Sequence, residues 1–169
     1  METLQAIFTR RSVRKFLRKE IEQQKIDLLL RAAMQAPSAH NKQPWHFILI
    51  NERKLLNAIA DFHPYAKMLY EAPLAITVCG DLLKESKDGY LALNVAAATQ
   101  NILLAAHAQD LGAVWIAVYP TEYRIEKIKE LLHLPQHILP ISMVAVGYPA
   151  SSVAPEDRYN PRKIHVNRW

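Results

Sequence analysis

With 169 residues, the chain is long enough to bury a hydrophobic core, and we expect a single domain over 1–169. Half of its residues are apolar and 22% are charged, a balance that argues against intrinsic disorder. The formal net charge of +5 favours anionic partners without saying which.

Hydrophobic periodicity predicts helices and strands that alternate along the chain. Leu4, Ile7 and Phe8 lie at helical spacing near the start, and Thr121 is suited to cap a later helix. In chain order we expect helices over 2–10 and from near Glu22 to Pro37, a strand over 46–50, a helix over 52–62, a strand over 74–80, a helix over 88–110, a strand over 113–118, a helix over 121–132, a strand over 141–147 and a short fifth strand over 163–166. This order indicates an α/β or α+β fold with a layered sheet.

The apolar stretch over 90–108 is long enough to span a membrane, but polar side chains interrupt it at Asn94, Thr99, Gln100, Asn101 and His107. We therefore expect a buried helix that is covered on every side. Six alanines between positions 92 and 106 permit close backbone approach, as at a helix–helix or subunit interface.

Nothing in the sequence points to export. Cys79 is the only cysteine and cannot form an internal disulfide, so a reducing compartment is expected. Residues 1–11 are too short and too polar for the core of a signal peptide. We expect a cytoplasmic protein.

Several motifs of enzyme chemistry are absent. The chain has no dinucleotide-binding glycine fingerprint, no phosphate-binding P-loop, no C-x-x-C, no H-E-x-x-H and no G-x-S-x-G. His133 and His137 are four residues apart, but Pro135 breaks the helix that would align them on one metal. Cys79 lies in an apolar strand without a neighbouring base. No metal site is expected, and the chemistry is expected to reside in a bound cofactor.

The run "TRRSVRKF" over 9–16 concentrates positive charge around Ser12. No acidic residue lies within 10–19 to pair with the six cations there, and like charges so close together repel one another unless an anion is near. Arginine suits bidentate phosphate contacts, and a hydroxyl adds a donor. A phosphate site, a solvated helix face and a nucleic-acid arm all remain open. Further cations lie close together in the C-terminal tail. If the two ends of the chain meet in the fold, they would build one positive site.

The stretch "PSAHNKQPW" over 37–45 gathers polar side chains between two prolines at the start of a strand. Asn and Gln offer a donor and an acceptor together, which suits the edge of a heterocycle. The alternative is a turn that only connects a helix to a strand. His40 could relay protons or simply be exposed.

Together these two stretches resemble the FMN-dependent nitroreductase family. The family pattern R-R-S-x-R-x-F is matched by "RRSVRKF" (10–16), and its P-S-[AS]-x-N-x-Q-P-W by "PSAHNKQPW" (37–45). The likeness continues through 66–81, 94–120 and 144–149 and ends in the basic segment 158–169. It covers essentially the whole chain, and the paired motifs are specific.

The resemblance implies an α+β fold with a mixed, mainly antiparallel sheet flanked by helices. It also implies a domain-swapped homodimer with two FMN sites at the interface, in which residues 150–169 wrap the partner subunit. By position, the FMN phosphate and ribityl chain would be bound by Arg10, Arg11, Ser12 and Arg14, with Arg158 from the tail. Arg162 and Lys163 are rivals for the tail position, whereas Lys15, Arg18 and Lys19 are expected to be solvated surface.

The resemblance also implies contacts to the flavin ring. From the partner subunit these would come from Pro37, Ser38, Ala39, Asn41 and Gln43. Along the isoalloxazine, with backbone N–H groups at N5 and O4, would lie Trp115, Ile116, Ala117 and Val118. Lys67 would reach the pyrimidine edge of the ring or the nicotinamide nucleotide. The strand motif often reads W-I-G in the family, and Ala117 replaces that glycine.

The expected function is an NAD(P)H-dependent FMN oxidoreductase. It would transfer hydride by a ping-pong mechanism from NADH or NADPH to nitroaromatics, quinones or related acceptors, with no side chain assigned as acid or base. The chain is short for the family, which implies an open, permissive site. A non-enzymatic FMN-binding protein for storage or redox sensing is the alternative. A third hypothesis is a nucleic-acid-binding domain. The two flavin hypotheses, in contrast, expect neither nucleic acid nor a membrane as partner.

Overall fold

Five helices and four strands alternate along the chain. The computed structural model describes residues 1–169, with α1 at Thr3–Thr9, α2 at Gln23–Met34, β1 at Trp45–Ile50, α3 at Arg53–Phe62, β2 at Leu74–Asp81, α4 at Asp88–Ala108, β3 at Gly112–Ala117, α5 at Glu122–Leu131 and β4 at Ile138–Gly147. Short 3₁₀ turns occupy Ala39–Asn41, Lys67–Tyr70 and Pro161–Lys163. The predicted elements agree with these bounds to within two residues, except that α2 ends at Met34, before Pro37, that β4 begins three residues earlier than expected, and that no strand forms near the C-terminus.

The four strands form one sheet in the order β1-β2-β4-β3, and every neighbouring pair is antiparallel. Beyond β3, Ser12 makes a parallel bridge to Ala113, which makes the sheet mixed. The predicted α+β class with a mainly antiparallel sheet is confirmed. Because β4 lies between β2 and β3, the outer strands β1 and β3 are three strand spacings apart, about 14 Å.

The sheet has a hydrophobic cluster on each face. On one face α2 and α4 pack against the strands, with Leu29, Val95 and Ile102 fully buried. On the other face α3 and α5 do so, through Leu56, Ile59 and Ile128. α4 is long and apolar enough to cross a membrane by length and composition alone, but it packs against the sheet and α2. The prediction of a buried helix is confirmed for the face towards the sheet and α2, but the helix is not covered on every side within the chain, because Tyr90 and Leu93 are exposed.

Two local predictions need correction. No strand forms over 163–166, because this segment has no strand beside it in the chain; a 3₁₀ turn at Pro161–Lys163 and irregular backbone replace it. Thr121 does occupy the N-cap position of α5, but its side chain makes no capping hydrogen bond. Its backbone carbonyl accepts from the N–H groups of Arg124 and Ile125 instead.

The tail over 150–169 is exposed along its whole length. It leaves the body where the N–H of Ala150 donates to the Lys15 carbonyl at 3.0 Å. Its large apolar side chains face solvent, and Trp169 is 101% exposed. Such side chains at the end of a 20-residue arm provide apolar surface that nothing in the same chain covers.

Candidate functional site

The basic segment after α1 is held against the edge of β3. The N–H of Val13 donates to the Ala113 carbonyl at 3.0 Å, beside the Ser12–Ala113 bridge. Gly112 permits this approach, because a Cβ at that position would lie 2.7 Å from Val13 Cγ1. The extended backbone therefore carries the arginines along an open sheet edge.

A cavity of about 460 Å³ opens beside this edge. It brings together five of the predicted site residues, Arg14, Lys67, Trp115, Ile116 and Ala117. Pro64, Tyr65, Met68 and Arg124 complete its lining. The ammonium of Lys67 donates to the Ala60 carbonyl at 2.7 Å, so this side chain is anchored in the cavity wall.

The edge of β3 that faces away from β4 offers backbone hydrogen-bonding groups. In an antiparallel strand these groups point alternately towards and away from the neighbouring strand. The N–H of Val118 donates to Ile141 in β4 at 3.2 Å, whereas the Ala113 carbonyl faces outward to Val13. By this alternation the N–H groups of Trp115 and Ala117 point away from β4. Of the backbone N–H groups in the predicted stretch 115–118, those of Trp115 and Ala117 can reach a ligand, whereas that of Val118 cannot.

His63 and Arg124 meet at the carbonyl of Ala117. His63 Nε2 lies 2.9 Å from this oxygen, and Arg124 Nη1 donates to it at 3.2 Å. His63 is 1% exposed, and burial lowers its pKa, with a further decrease from the charge of Arg124. No sequence pattern singles out His63, because a lone histidine before a proline matches no motif.

The two basic ends of the chain meet at a second cluster. Arg11 Nη1 pairs with Glu156 Oε2 at 2.9 Å, and Arg158 Nε lies 3.5 Å from the same oxygen. Burial lowers the pKa of Arg10, and the charges of Arg158 and Arg11 lower it further. The structure thus brings Arg158 to the predicted arginines, and one carboxylate balances part of their charge. Arg162 and Lys163 make no ion pair.

A cavity of about 260 Å³ lies against this cluster. It is lined by Arg10 and Arg11 and by the hydroxyl-bearing Thr9, Ser151 and Ser152. Guanidinium and hydroxyl donors around one cavity are the groups that recognise phosphate. Lys15, Arg18 and Lys19 are all exposed, as expected, and Lys19 lies 3.9 Å above the Tyr148 ring.

The loop over 37–43 has an unusual backbone. His40, Asn41 and Gln43 have φ values of 54°, 53° and 46°, in the left-handed region that favours glycine. Side chains hold this backbone in place. The Ser38 hydroxyl accepts from the Gln43 N–H at 2.9 Å, and Gln43 Nε2 donates to Asn41 Oδ1 at 2.8 Å. Non-glycine residues in this region cost free energy and cluster at functional sites.

Two polar side chains from outside the loop anchor it. Asn94 of α4 accepts from the Ala39 N–H at 2.9 Å, and Glu85 accepts from Lys42 Nζ at 2.8 Å. Asn94 is 5% exposed, and its amide nitrogen has no partner within the chain. Pro37, Asn41 and Gln43 are exposed, so this rigid loop is accessible to another molecule.

Within one chain the loop and the cavity beside β3 are far apart. The loop precedes β1, at one edge of the sheet, whereas Arg14 lies beside β3, at the other edge. The separation runs across the sheet, over the three strand spacings between β1 and β3, because the cavity residues Trp115 to Ala117 register through β4 and β2 with Leu49 to Phe47 of β1. A single chain therefore does not bring the two predicted halves of the site together.

The chain matches a known protein family over most of its length. The model of the nitroreductase family matches residues 7–68 and 60–148, which is most of the chain. The chain belongs to the nitroreductase family. The predicted resemblance is confirmed, and the motifs of the β3 edge and of the 37–43 loop both fall within the matched residues of this nitroreductase.

Individual nitroreductase relatives agree over the full length. A protein of Methanothermobacter thermautotrophicus, named as a candidate NADH dehydrogenase/NAD(P)H nitroreductase, is 45% identical over 100% of this chain and 88% of its own. A similarly named structure from Parabacteroides distasonis is 47% identical, with a TM-score of 0.95 over 99% and 98% of the two chains. A nitroreductase from Desulfovibrio desulfuricans, solved in complex with FMN, is 28% identical, with a TM-score of 0.86 over 100% and 98%.

Proposed function

We propose that this nitroreductase transfers hydride from NADH or NADPH, through bound FMN, to nitroaromatics, quinones or related small acceptors in two successive half-reactions. The coarser statement follows from the family and its named relatives: the protein is an NAD(P)H-dependent oxidoreductase with FMN as its cofactor. The choice of acceptor and the ping-pong order are the proposal.

The residues present fit FMN. The guanidinium and hydroxyl cluster around Arg10 and Arg158 suits a phosphate, and this set has more cations than Glu156 neutralises. The outward N–H groups of Trp115 and Ala117 suit the carbonyl and imine acceptors of a flavin ring. Arg14 and Lys67 bring cationic side chains to the same cavity. The observation that carries the proposal is this unpaired N–H edge beside a cationic cavity.

Bound FMN would supply the redox chemistry, because it accepts and donates hydride equivalents that no protein side chain can carry. The chain's own residues bind and orient it. The outward N–H groups are fixed by the strand and need little reorganisation, and Arg14 and Lys67 add positive charge where negative charge would accumulate.

No side chain of the cavity is assigned as an acid or a base. Its ionisable members are Arg14, Lys67, Arg124 and Tyr65, and no carboxylate lines it. Both ring nitrogens of the adjacent His63 are already engaged within the chain. Water can therefore supply protons at this open site.

We further propose that two copies of the chain complete each site. The single domain over 1–169 would present Arg10 to Arg14 and the β3 edge, and the partner subunit would present its own 37–43 loop. The distance between the loop and the β3 edge within one chain supports this arrangement. The exposed apolar side chains of the tail support its wrapping of the partner.

The function is tested by absorption and anaerobic mixing. We expect the purified protein to be yellow, or to become so with added FMN, and NADH or NADPH to bleach the flavin band. A colourless protein that takes up no FMN would refute the proposal. A flavoprotein that neither nucleotide bleaches would refute hydride transfer and favour the non-enzymatic FMN-binding alternative.

A further inference from the structure

The hydrogen bonds of His63 determine which of its ring nitrogens carries the proton. The Tyr65 N–H donates to Nδ1 at 3.2 Å, so Nδ1 must present a lone pair. The proton of the neutral ring then lies on Nε2, which donates to the Ala117 carbonyl at 2.9 Å. Since the ring is 1% exposed, water does not compete for either bond.

The Ala117 carbonyl receives two donors at the end of β3. Besides His63 Nε2, Arg124 Nη1 donates to it at 3.2 Å. A carbonyl oxygen has two lone pairs, so both are used within the chain. The last outward-facing position of the strand therefore offers a ligand its N–H donor and no free acceptor.

The two donors differ in how firmly they are held. His63 is enclosed between α3 and the strand end, and its second ring nitrogen is also bonded. Arg124 is half-buried, with its guanidinium carbon 5.4 Å from the centre of the exposed Tyr65 ring. A buried, doubly bonded imidazole has one orientation, whereas a long side chain at a cavity rim has several.

We propose that His63 is a positioning residue for the flavin: its Nε2–H occupies the Ala117 carbonyl and holds the end of β3, so that this position presents to the cavity only its N–H, which the pairing with β4 already directs outward. This inference rests on the proposed function, because it assigns the cavity to the flavin ring. It adds a residue that contacts neither the cofactor nor the substrate and acts through the backbone of Ala117. At that position, a strand end that presents only its N–H favours a ring atom with a lone pair over one that carries its own N–H donor.

Three variants separate this role from simple packing. Glutamine places its amide donor near the position of Nε2, asparagine near that of Nδ1, and methionine fills the volume without a donor. We expect His63→Met and His63→Asn to weaken FMN binding and slow its reduction by about tenfold or more, the range caused by small misplacements at reacting centres. His63→Gln should retain both properties within about threefold of wild type. The exposed His46→Met, in the extended backbone of β1, is the matched control and should equal wild type.

Two of the measurements do not require catalytic turnover. Fluorescence titration of FMN gives the dissociation constant, and ¹⁵N NMR of histidine-labelled protein reports the tautomer of His63. Equal FMN affinity and reduction rate in folded His63→Met and wild type would overturn the inference, as would an Nδ1–H tautomer or a charged ring at pH 7.5. The NMR result can overturn the inference even where His63→Met does not fold, and rescue of FMN binding by His63→Gln supports it. Wild-type protein that binds no FMN would instead overturn the proposed function.

Discussion

Lys42 Nζ lies 2.8 Å from Oε2 of Glu85, whose side chain is 1% exposed. The other carboxylate oxygen accepts from the Lys87 N–H at 3.1 Å. This pair ties the left-handed loop over 37–43 to the segment that leads into α4. The hydrogen bond from Lys42 holds the pKa of Glu85 below its ordinary value of 4.5, with the Lys87 N–H contributing.

Replacing Glu85 should change how the stability of the fold depends on pH. Because the native pKa is lowered, the carboxylate stabilises the fold above pH 4.5, and this contribution is lost as the pH falls through the native pKa. We expect Glu85→Gln to melt at a lower temperature than wild type at pH 7, with a smaller difference at pH 3.5. Thermal unfolding by circular dichroism measures both, with the exposed Glu71→Gln as control. A difference that does not shrink in acid would contradict the assignment.

Removing two arginines should abolish FMN retention while leaving the fold intact. Hydrogen bonds to charged groups contribute about 1.5–3 kcal/mol each, so Arg10→Ala with Arg14→Ala should weaken FMN binding by about a hundredfold or more. Flavin content after purification and fluorescence titration measure the loss. Arg18→Ala with Arg31→Ala removes the same charge from exposed positions and should bind normally. Normal flavin content in the first variant would show that the phosphate site lies elsewhere.

Gly112 should tolerate no side chain. A Cβ there would lie 2.7 Å from Val13 Cγ1, so Gly112→Ala must displace the arginine segment or the strand. Overpacking of this kind costs about 1–3 kcal/mol, and we expect weaker FMN binding with it. In contrast, a Cβ at Gly89, in the first turn of α4, meets nothing within 4 Å, so Gly89→Ala should not destabilise the protein.

Urea unfolding and FMN titration distinguish these two glycine variants. Combining Gly112→Ala with Val13→Ala removes the clashing atoms and should recover part of both losses. If Gly112→Ala binds FMN as wild type does, the position of the segment on β3 does not control the site.

The tail should matter for assembly more than for folding. Serine at Tyr159, Ile164, Val166 and Trp169 removes apolar surface that is exposed within the chain, so the domain itself should keep its unfolding transition. The proposed dimer should dissociate at higher concentration than in wild type. Analytical ultracentrifugation measures this, and Leu83→Ser, at another exposed apolar position, is the control. A variant that stays as dimeric as wild type would place the tail outside the interface.

Local pattern predicted the elements well, and distant contacts explain what it missed. The strand expected over 74–80 is Leu74–Asp81, and the helix expected over 52–62 is Arg53–Phe62, because periodicity depends on neighbouring residues alone. The insertion of β4 between β2 and β3 depends on which strands meet in space. The prediction of a fifth strand was wrong for a similar reason, since a strand needs a neighbouring strand to pair with and the tail has none in its own chain.

The residues of the candidate site likewise fall into those that local pattern predicts and those that depend on distant contacts. The arginines and the 37–43 loop were visible as motifs, because their composition is unusual and matches a family. His63 was not, since its role arises only when the end of α3 meets the end of β3, 54 residues further along. The salt bridge between Arg11 and Glu156, across 145 residues, was likewise beyond local pattern, although the basic character of both ends indicated one positive site wherever the ends meet.

The separation of the loop from the β3 edge has a consequence for handling the protein in solution. If each site needs two chains, cofactor affinity and subunit association are thermodynamically linked, and each strengthens the other. Dilution should release flavin, and added flavin should shift the monomer–dimer equilibrium towards dimer. Specific activity would then rise with protein concentration until assembly is complete, and enzyme stocks of different strength would differ in turnover per chain.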